Sequence, residues 1–499
     1  MNVIYSNTLA GTRRRPLAVC LASIFSLSAP AALAANTWHV DTCSEDISNT
    51  DAAHGSLRWA LAPAQAQDGD TIDMTSIGCS TISLTTGEIF VPQPSLTITG
   101  PGASALTIDA TGNPGGTHGP FTSRVFTHTG LGGTLTVQSL TLAGGHAVRS
   151  GYPALGGCIY SAGNVTLKHA SVTGCYTYES GTYGSYGGGV YTKGNLYIRY
   201  STLTNNNANA ADTEGVGEGV GGGAFVRGRI GVTFSTISGN TAKSRAGGVY
   251  VNGDANFFAS TISGNSADSF AGIDAYTYPN PSGNIFSLSN STVSGNTATN
   301  QAGAMYANSG TVRFYNSTVA FNSAPAVPGV SVGSFYGAVN VTLESTLMSN
   351  NSDGSSDRDL FIVPNGPDPD NPNPITINGG QLLLPANNLI RTANATLPTD
   401  TKVSCPQLGP LRNNGGLTQT HALGNTSSAI DSGNTLAGPG VGNYEQRGAA
   451  EVNGVMDYTR ESRPVGSVDP PVADIGAYEV QQDDEIFQTF FDGCNPLPG

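Results

Sequence analysis

Short runs that alternate apolar and polar residues with a period of two fill the middle of this chain. They place Val165 and Leu167, Leu196 and Ile198, Ile230 and Val232, Phe286 and Leu288, and Val312 and Phe314 on one face. Such alternation in β-branched and aromatic residues predicts strands. Each run is preceded by a small-residue step that leads into a second strand-like piece. Examples are Gly156-Gly157-Cys158-Ile159-Tyr160, Gly187-Gly188-Gly189-Val190-Tyr191, Gly222-Gly223-Ala224-Phe225 and Ala246-Gly247-Gly248-Val249-Tyr250. Each run is followed by Ser-Thr-(Ile/Val/Leu)-x-x-Asn. That signature starts at Ser201, Ser235, Ser260, Ser291, Ser317 and Ser345, with a degenerate copy from Ala170 to Cys175. The starts lie 31, 34, 25, 31, 26 and 28 residues apart, a period that signals a solenoid.

Five residues separate the last apolar position of each alternating run from the apolar residue of the signature, as in Leu167/Val172, Ile198/Leu203 and Phe257/Ile262. The offset slips by one at Leu343/Leu347, which reads as a rung that has lost a residue. Three strands per turn, stacked about 4.8 Å apart, make a parallel β-helix. Roughly eight to eleven turns give a rod on the order of 40–50 Å long. Helical repeats are excluded, because Gly, Ser, Thr and Asn dominate and no i, i+3, i+4 pattern is present. The expected fold is all-β: a right-handed, three-stranded parallel β-helix with a short N-terminal helical cap at Gly55 to Leu61. The strands predicted after it cover Thr81 to Leu84, Leu96 to Thr99 and Leu106 to Asp109.

The column Asn206, Asn240, Asn265, Asn296, Asn322 and Asn350 has two readings. One is an asparagine ladder whose amides hydrogen-bond along the rod at a corner; the other is a ligand-binding row. Its regular spacing favours the ladder.

The first residues read as a secretory signal. Arg13 to Arg15 are basic, Leu17 to Leu27 is apolar, and Ala32-Leu33-Ala34 is a cleavage-type site. No later stretch approaches the roughly 18 apolar residues of a membrane span. The formal charge of −14 becomes −17 on cleavage, and only Lys168, Lys193, Lys243 and Lys402 are lysines. Such a surface repels nucleic acid and anionic lipid, and opposes strongly polyanionic substrates. Cys43, Cys79, Cys158, Cys175, Cys405 and Cys494 remain after cleavage. An even count in an exported chain indicates disulfides rather than metal. Cys43 with Cys79 would staple the cap, Cys158 with Cys175 would link adjacent rungs, and Cys405 with Cys494 is what remains, among fifteen connectivities that six cysteines allow.

Three segments carry a family resemblance. Gly55-Ser56-Leu57-Arg58-Trp59-Ala60-Leu61, with Asp68-Gly69-Asp70-Thr71-Ile72, resembles the SLR (CSLREA-type) segment of exported bacterial proteins. The repeats resemble those of polymorphic outer-membrane-protein-like right-handed β-helices. Leu411-Arg412-Asn413-Asn414-Gly415-Gly416-Leu417-Thr418-Gln419-Thr420-His421 and Ala429-Ile430-Asp431-Ser432-Gly433 open a third likeness. Gln446-Arg447-Gly448, Arg463-Pro464 and Asp474-Ile475-Gly476-Ala477-Tyr478-Glu479 complete it, and together they resemble a choice-of-anchor Q domain. The resemblance implies export and surface display, and no particular activity. The tail at Ile486 to Cys494 lacks a hydrophobic span and a basic cluster, so free secretion stays open beside attachment. The expected organisation is a signal peptide at 1–34, cap and first rungs at 35–110, repeats at 111–362, a Pro-rich loop and irregular rungs at 363–400, the C-terminal domain at 401–480 and a tail at 481–499.

Candidate chemistry is sparse. Parallel β-helices host polysaccharide lyases and glycoside hydrolases, which is a fold-level analogy. Such chemistry needs carboxylates paired across rungs, or an acidic set with a basic proton acceptor. Asp268 and Asp274, near Phe270, Tyr276 and Tyr278, are the best catalytic candidates, against a reading as a solvated turn. Asp212, Glu214 and Glu218 fall in a Gly-rich insertion. Tyr176, Tyr178, Tyr183 and Tyr186 are glycan-platform candidates, against a stacked row that covers the rod's flank. Asp353, Asp357 and Asp359 are calcium candidates without EF-hand spacing, and no other cofactor is expected. The first functional expectation is an exported, monomeric, adhesin-like or glycan-contacting rod. The alternatives are a polysaccharide-cleaving enzyme and a structural spacer.

Overall fold

The computed structural model describes residues 35–45, 55–62, 65–112, 123–210, 217–276, 284–308, 310–334, 337–363, 374–379, 385–434, 446, 450–452, 455–457, 473–478 and 494. The signal-like segment 1–34, the Pro-rich loop at 364–373, Asp212, Glu214, Tyr278, Arg447, Gly448, Arg463, Pro464, Glu479 and the tail before Cys494 lie outside them.

The described chain winds as a right-handed parallel β-helix. Sheet I has twelve strands, from Thr37–His39 to Ile375–Gly379. Sheet II has eleven, from Thr81–Ser83 to Leu389–Ile390, and sheet III has ten, from Ile89–Val91 to Leu360–Val363. The middle turns add what the periodicity did not reveal. A six-stranded ribbon, from His146–Arg149 to Thr297–Gln301, lies between sheets II and III. A three-stranded piece (Ala154–Leu155, Ser185–Tyr186, Gly219–Val220) follows it. Twelve stacked strands span about 50 Å.

The interior is the set of alternating positions. Leu167, Ile198, Val232, Phe257, Leu288 and Phe314 line one inner wall; Val172, Leu203, Ile237, Ile262 and Val293 line another, and all are buried. The small-residue steps mark where backbones meet. A Cβ on Gly188 would stand 2.3 Å from the Gly222 carbonyl oxygen, so no side chain fits.

The asparagines hydrogen-bond as a directed row. Each side-chain amide donates to the next Oδ1, from Asn206 through Asn240, Asn265 and Asn296 to Asn322, at 2.8–3.0 Å. The next member is Asn351, not the expected Asn350. The register explains the correction: Val319 pairs with Met348, so the signature's inward residue in that turn is Met348. Leu343 to Met348 keeps the five-residue offset, and no residue has been lost. Asn350 instead holds a left-handed corner (φ 59°), the place of Gly239, Gly264 and Gly295 in earlier turns. The row ends on Asp359, whose Oδ1 accepts from Asn351 and whose Oδ2 accepts from Thr392. A carboxylate accepts without donating, which closes the chain of amides.

The signature serines form a second row. The Ser201, Ser235, Ser260 and Ser291 amides donate to the hydroxyls of Ser235, Ser260, Ser291 and Ser317.

The N-terminal end is closed by the helix Leu57–Ala60, capped by Ser56, whose hydroxyl accepts from the Trp59 amide. Leu57, Ala60 and Leu61 are buried over the first turn. Arg58 donates to Glu45 and to the Gly87 and Glu88 carbonyls. Asp70 accepts from the Asn36 amide, the Trp38 indole and the Gln67 amide.

The C-terminal segment does not continue the winding. A hairpin of Leu408–Arg412 and Thr420–Leu423, with Asn434, Gln446 and 473–478, lies back along the outer face of sheet II. Gln446 accepts from the Thr292 hydroxyl and donates to those of Thr261 and Thr418. Ser294 bonds His421 Nε2 at 2.7 Å. Leu408, Leu423, Ala429, Ile475 and Tyr478 pack on Ala320, Leu347 and Leu389. The three disulfides are Cys43–Cys79, Cys158–Cys175 and Cys405–Cys494. Ile159 pairs with Val190 one turn later, so Cys158–Cys175, only 17 residues apart, spans part of one turn instead of joining two. Among the described residues no helix is long and apolar enough to cross a membrane.

Candidate functional site

The outward position of sheet III is the residue after the inward one in each small-residue step. In register this column reads Phe90, Thr127, Tyr160, Tyr191, Phe225, Tyr250, Asp274, Tyr306, Ser331 and Phe361. Tyr160, Tyr191, Phe225 and Tyr250 stack ring on ring, with centroids 4.5–5.7 Å apart. Their faces are spent on one another. Val220, Ala246, Leu155 and Tyr186 cover them from the side, so Tyr191, Phe225 and Tyr250 are buried. This middle stretch is a spine, not a platform.

Beyond the spine the column opens into a groove of about 820 Å³. Phe270, Tyr276, Tyr306 and Phe361 supply aromatic surface, and Arg245, Asp268, Gln301 and Arg358 supply polar groups. Arg245 is the central residue. Its guanidinium lies 4.8 Å from the Tyr276 ring centroid, 5.1 Å from that of Phe270 and 5.8 Å from that of Tyr250. Cation–π attraction at such distances holds it in place. One of its nitrogens, Nη2, sits 2.8 Å from Asp274 Oδ2.

Asp274 is fully buried between Tyr250 and Tyr306, and its Oδ1 has no hydrogen-bond partner among the described residues. Burial pushes its carboxyl up to about 6, against the opposing pull of Arg245. Burial alone would lower Arg245, but Asp274 and the Tyr250 and Tyr276 hydroxyls together raise it. Burial, reinforced by Asp274, pushes the Tyr250 hydroxyl far above its ordinary range.

The two acidic candidates therefore separate. Asp268 lines the groove wall, where Oδ1 accepts from Thr299 at 2.7 Å. Asp274 lies beneath Arg245, closed to solvent. The four tyrosine candidates are not gathered into one surface. Tyr176 stacks on His146 from the ribbon, two positions before Tyr178 on the same strand. Tyr183 is 54% exposed and stacks on Tyr152, and Tyr186 meets Phe225 edge-on at 5.1 Å.

The calcium candidates are each engaged elsewhere. Asp353 accepts from the Ser355 hydroxyl and amide and from the Ser356 amide, which hold its carboxyl below the usual range. Asp357 pairs with buried Arg391, and Asp359 ends the asparagine row. Burial pushes Asp359 up to about 6, helped by neighbouring Asp357 and opposed by the bonds from Asn351 and Thr392. No group of three His, Cys, Asp or Glu placed to hold a metal occurs among the described residues.

Arg245, Gln301, Tyr306, Arg358 and Phe361 were not singled out by sequence reasoning. The signal was present for Tyr306 alone, in Ala302-Gly303-Ala304-Met305-Tyr306, the same step that carries the spine. Arg245, Gln301 and Arg358 come from other strands and loops, and only the winding brings them together.

No family profile and no curated protein matches the chain. Among solved structures, the crystal structure of pectate lyase Pel9A aligns over 89% of this chain and 96% of its own, at 12% identity and a TM-score of 0.33. A likeness that slight carries no argument about this chain.

Proposed function

We propose that this chain is an exported interaction rod whose side groove holds a stretch of neutral polysaccharide. The observation that carries the reading is the groove beyond the spine. It combines four aromatic side chains with two guanidiniums, a carboxylate and an amide in about 820 Å³. Sugar rings stack on aromatic faces, and their hydroxyls bond to such planar polar groups. The mixed charge of the lining and the acidity of the chain both disfavour a polyanion.

Export is supported by three disulfides and by the signal-like first 34 residues. The likeness to SLR and choice-of-anchor Q segments is supported by where their residues fall: Ser56 and Arg58 in the cap, His421, Gln446 and Ile475 buried on sheet II. We retain surface display and the adhesin-like role as part of the same proposal.

Cleavage is the second reading, and the raised Asp274 favours it, since a carboxyl pushed toward neutrality suits a general acid. Its burial beneath Arg245 requires that Arg245 move first. The test is a polysaccharide panel on the mature chain, scored by pull-down and by new reducing or unsaturated ends. Retention without new ends, weakened about tenfold or more by Tyr276→Ala or Phe361→Ala, is the expected result. Retention unaffected by both substitutions overturns the groove; new ends abolished by Asp274→Asn replace binding with catalysis.

A further inference from the structure

A second groove, of about 570 Å³, lies at the other end of the spine, around Phe90, Thr127 and Tyr160. It is about 30 Å away, because Thr127 and Tyr306 stand six strands apart in the column. Its chemistry differs from that of the first. Arg124 is engaged: Nε donates to the Leu155 and Gly156 carbonyls, Nη1 pairs with Glu88 at 2.7 Å, and the guanidinium lies over the Tyr160 ring. Glu88 also accepts from Thr127, so this carboxylate and this guanidinium cancel. Arg149 is left over. It lines the groove, its guanidinium has no acidic, carbonyl or ring partner among the described residues, and its charge bears only on that of Arg124 beside it.

Its neighbour in register, Glu179, does not neutralise it. Glu179 is buried and gives its oxygens to the amides of Gly151, Tyr183 and Gly184. Those bonds fix the two loops that carry Tyr152 and Tyr183. They hold Tyr152 at the groove's rim, 72% exposed, with one face against Tyr183 and the other open. Phe90, 58% exposed, is a second aromatic of the same groove. An exposed ring pair beside one uncompensated guanidinium is unusual on a chain of net charge −14.

We infer that this groove is a separate subsite for a single carboxylate-bearing sugar residue. Phe90 and Tyr152 take the ring, and Arg149 takes the carboxylate. One free cation accommodates one acid; the chain's overall charge repels a run of them. The inference borrows from the proposed function only that the ligand is a sugar. It stands or falls at Arg149 and Tyr152, which the first groove does not contain.

Methyl glucuronide and methyl glucoside are the probes, titrated into the mature chain by ligand-observed NMR. The glucuronide is expected to bind, and the glucoside at least tenfold more weakly. Arg149→Gln and Tyr152→Ala should each weaken glucuronide binding about tenfold or more, while Tyr276→Ala leaves it unchanged. Thermal unfolding confirms that each variant is folded, and Tyr152→Ala, at an exposed loop position, carries the test if Arg149→Gln is not. Equal binding of the two glycosides overturns the inference, as does glucuronide binding insensitive to both substitutions. An acidic tetrapeptide that binds as well as the glucuronide also overturns it. Failure of the neutral-polysaccharide panel with glucuronide binding intact removes the first groove and leaves this one.

Discussion

Asn265 shows what one position contributes to the rod. Its Oδ1 accepts from the Asn240 backbone and side-chain amides, and its own amide donates to Ile237 and Asn296. Asn265→Ala would strand buried donors and acceptors on both neighbouring turns. Each such group costs about 1–3 kcal/mol, so a loss of about 2–4 kcal/mol is expected by chemical denaturation. Asn350→Ala, at the corner and outside the row, should cost less. The period marked the column, since stacked identical amides explain a recurring asparagine. Its last member was misplaced because Asn350 and Asn351 are adjacent, and only strand register distinguishes them.

At the scale of the element, the C-terminal strap is tied to sheet I through Glu344. Glu344 is buried; Oε1 accepts from the Asn434 amide at 2.7 Å, and Oε2 has no hydrogen-bond partner among the described residues. Burial pushes its carboxyl up to about 7 from 4.5, and the bond from Asn434 only partly opposes this. The folded state thus holds this proton more tightly than the unfolded chain does. The associated stability is complete below pH 4.5 and is lost as pH rises through about 7. Glu344→Gln keeps the acceptor for Asn434 and removes the titration. It should be more stable than the parent at pH 8, by on the order of 2 kcal/mol, and show no such gain at pH 4. Thermal unfolding at both pH values checks this. The strap also covers Leu347 and Leu389. Ending the chain at residue 404 should expose them and increase binding of a hydrophobic dye.

For the whole molecule, a solenoid's turns touch chiefly their neighbours, so a complete turn can be removed where nothing spans it. Tyr176 pairs with Asn207 in the ribbon, so deleting 176–206 rejoins equivalent positions and removes a turn that lies before the strap's contacts with Thr261, Thr292 and Ser294. Ser266 pairs with Thr297, so deleting 266–296 is equally neat for the winding. The second deletion removes Thr292 and Ser294, which hold Gln446 and His421. The first should leave the strap protected from protease; the second should release it. Equal protease sensitivity of the two would contradict the strap's register.

The sequence alone determined the winding. A side chain's face in a strand depends only on parity, and a turn's length only on its period, so Leu167, Ile198 and Val232 were legible as core without coordinates. The cap was legible for a similar reason, because Ser56 and Leu57 act within a few residues of themselves. What tertiary structure decided was everything joined across turns or across the chain. Arg245 meets Asp274 and Tyr276 from a different turn, and Gln446 reaches Thr261 from 185 residues away. Glu179, the register neighbour of Arg149, is spent on two loops, which leaves Arg149 without an acid partner among the described residues. Stacking sets these meetings through register, and a one-residue shift such as Asn350 for Asn351 would change every partner.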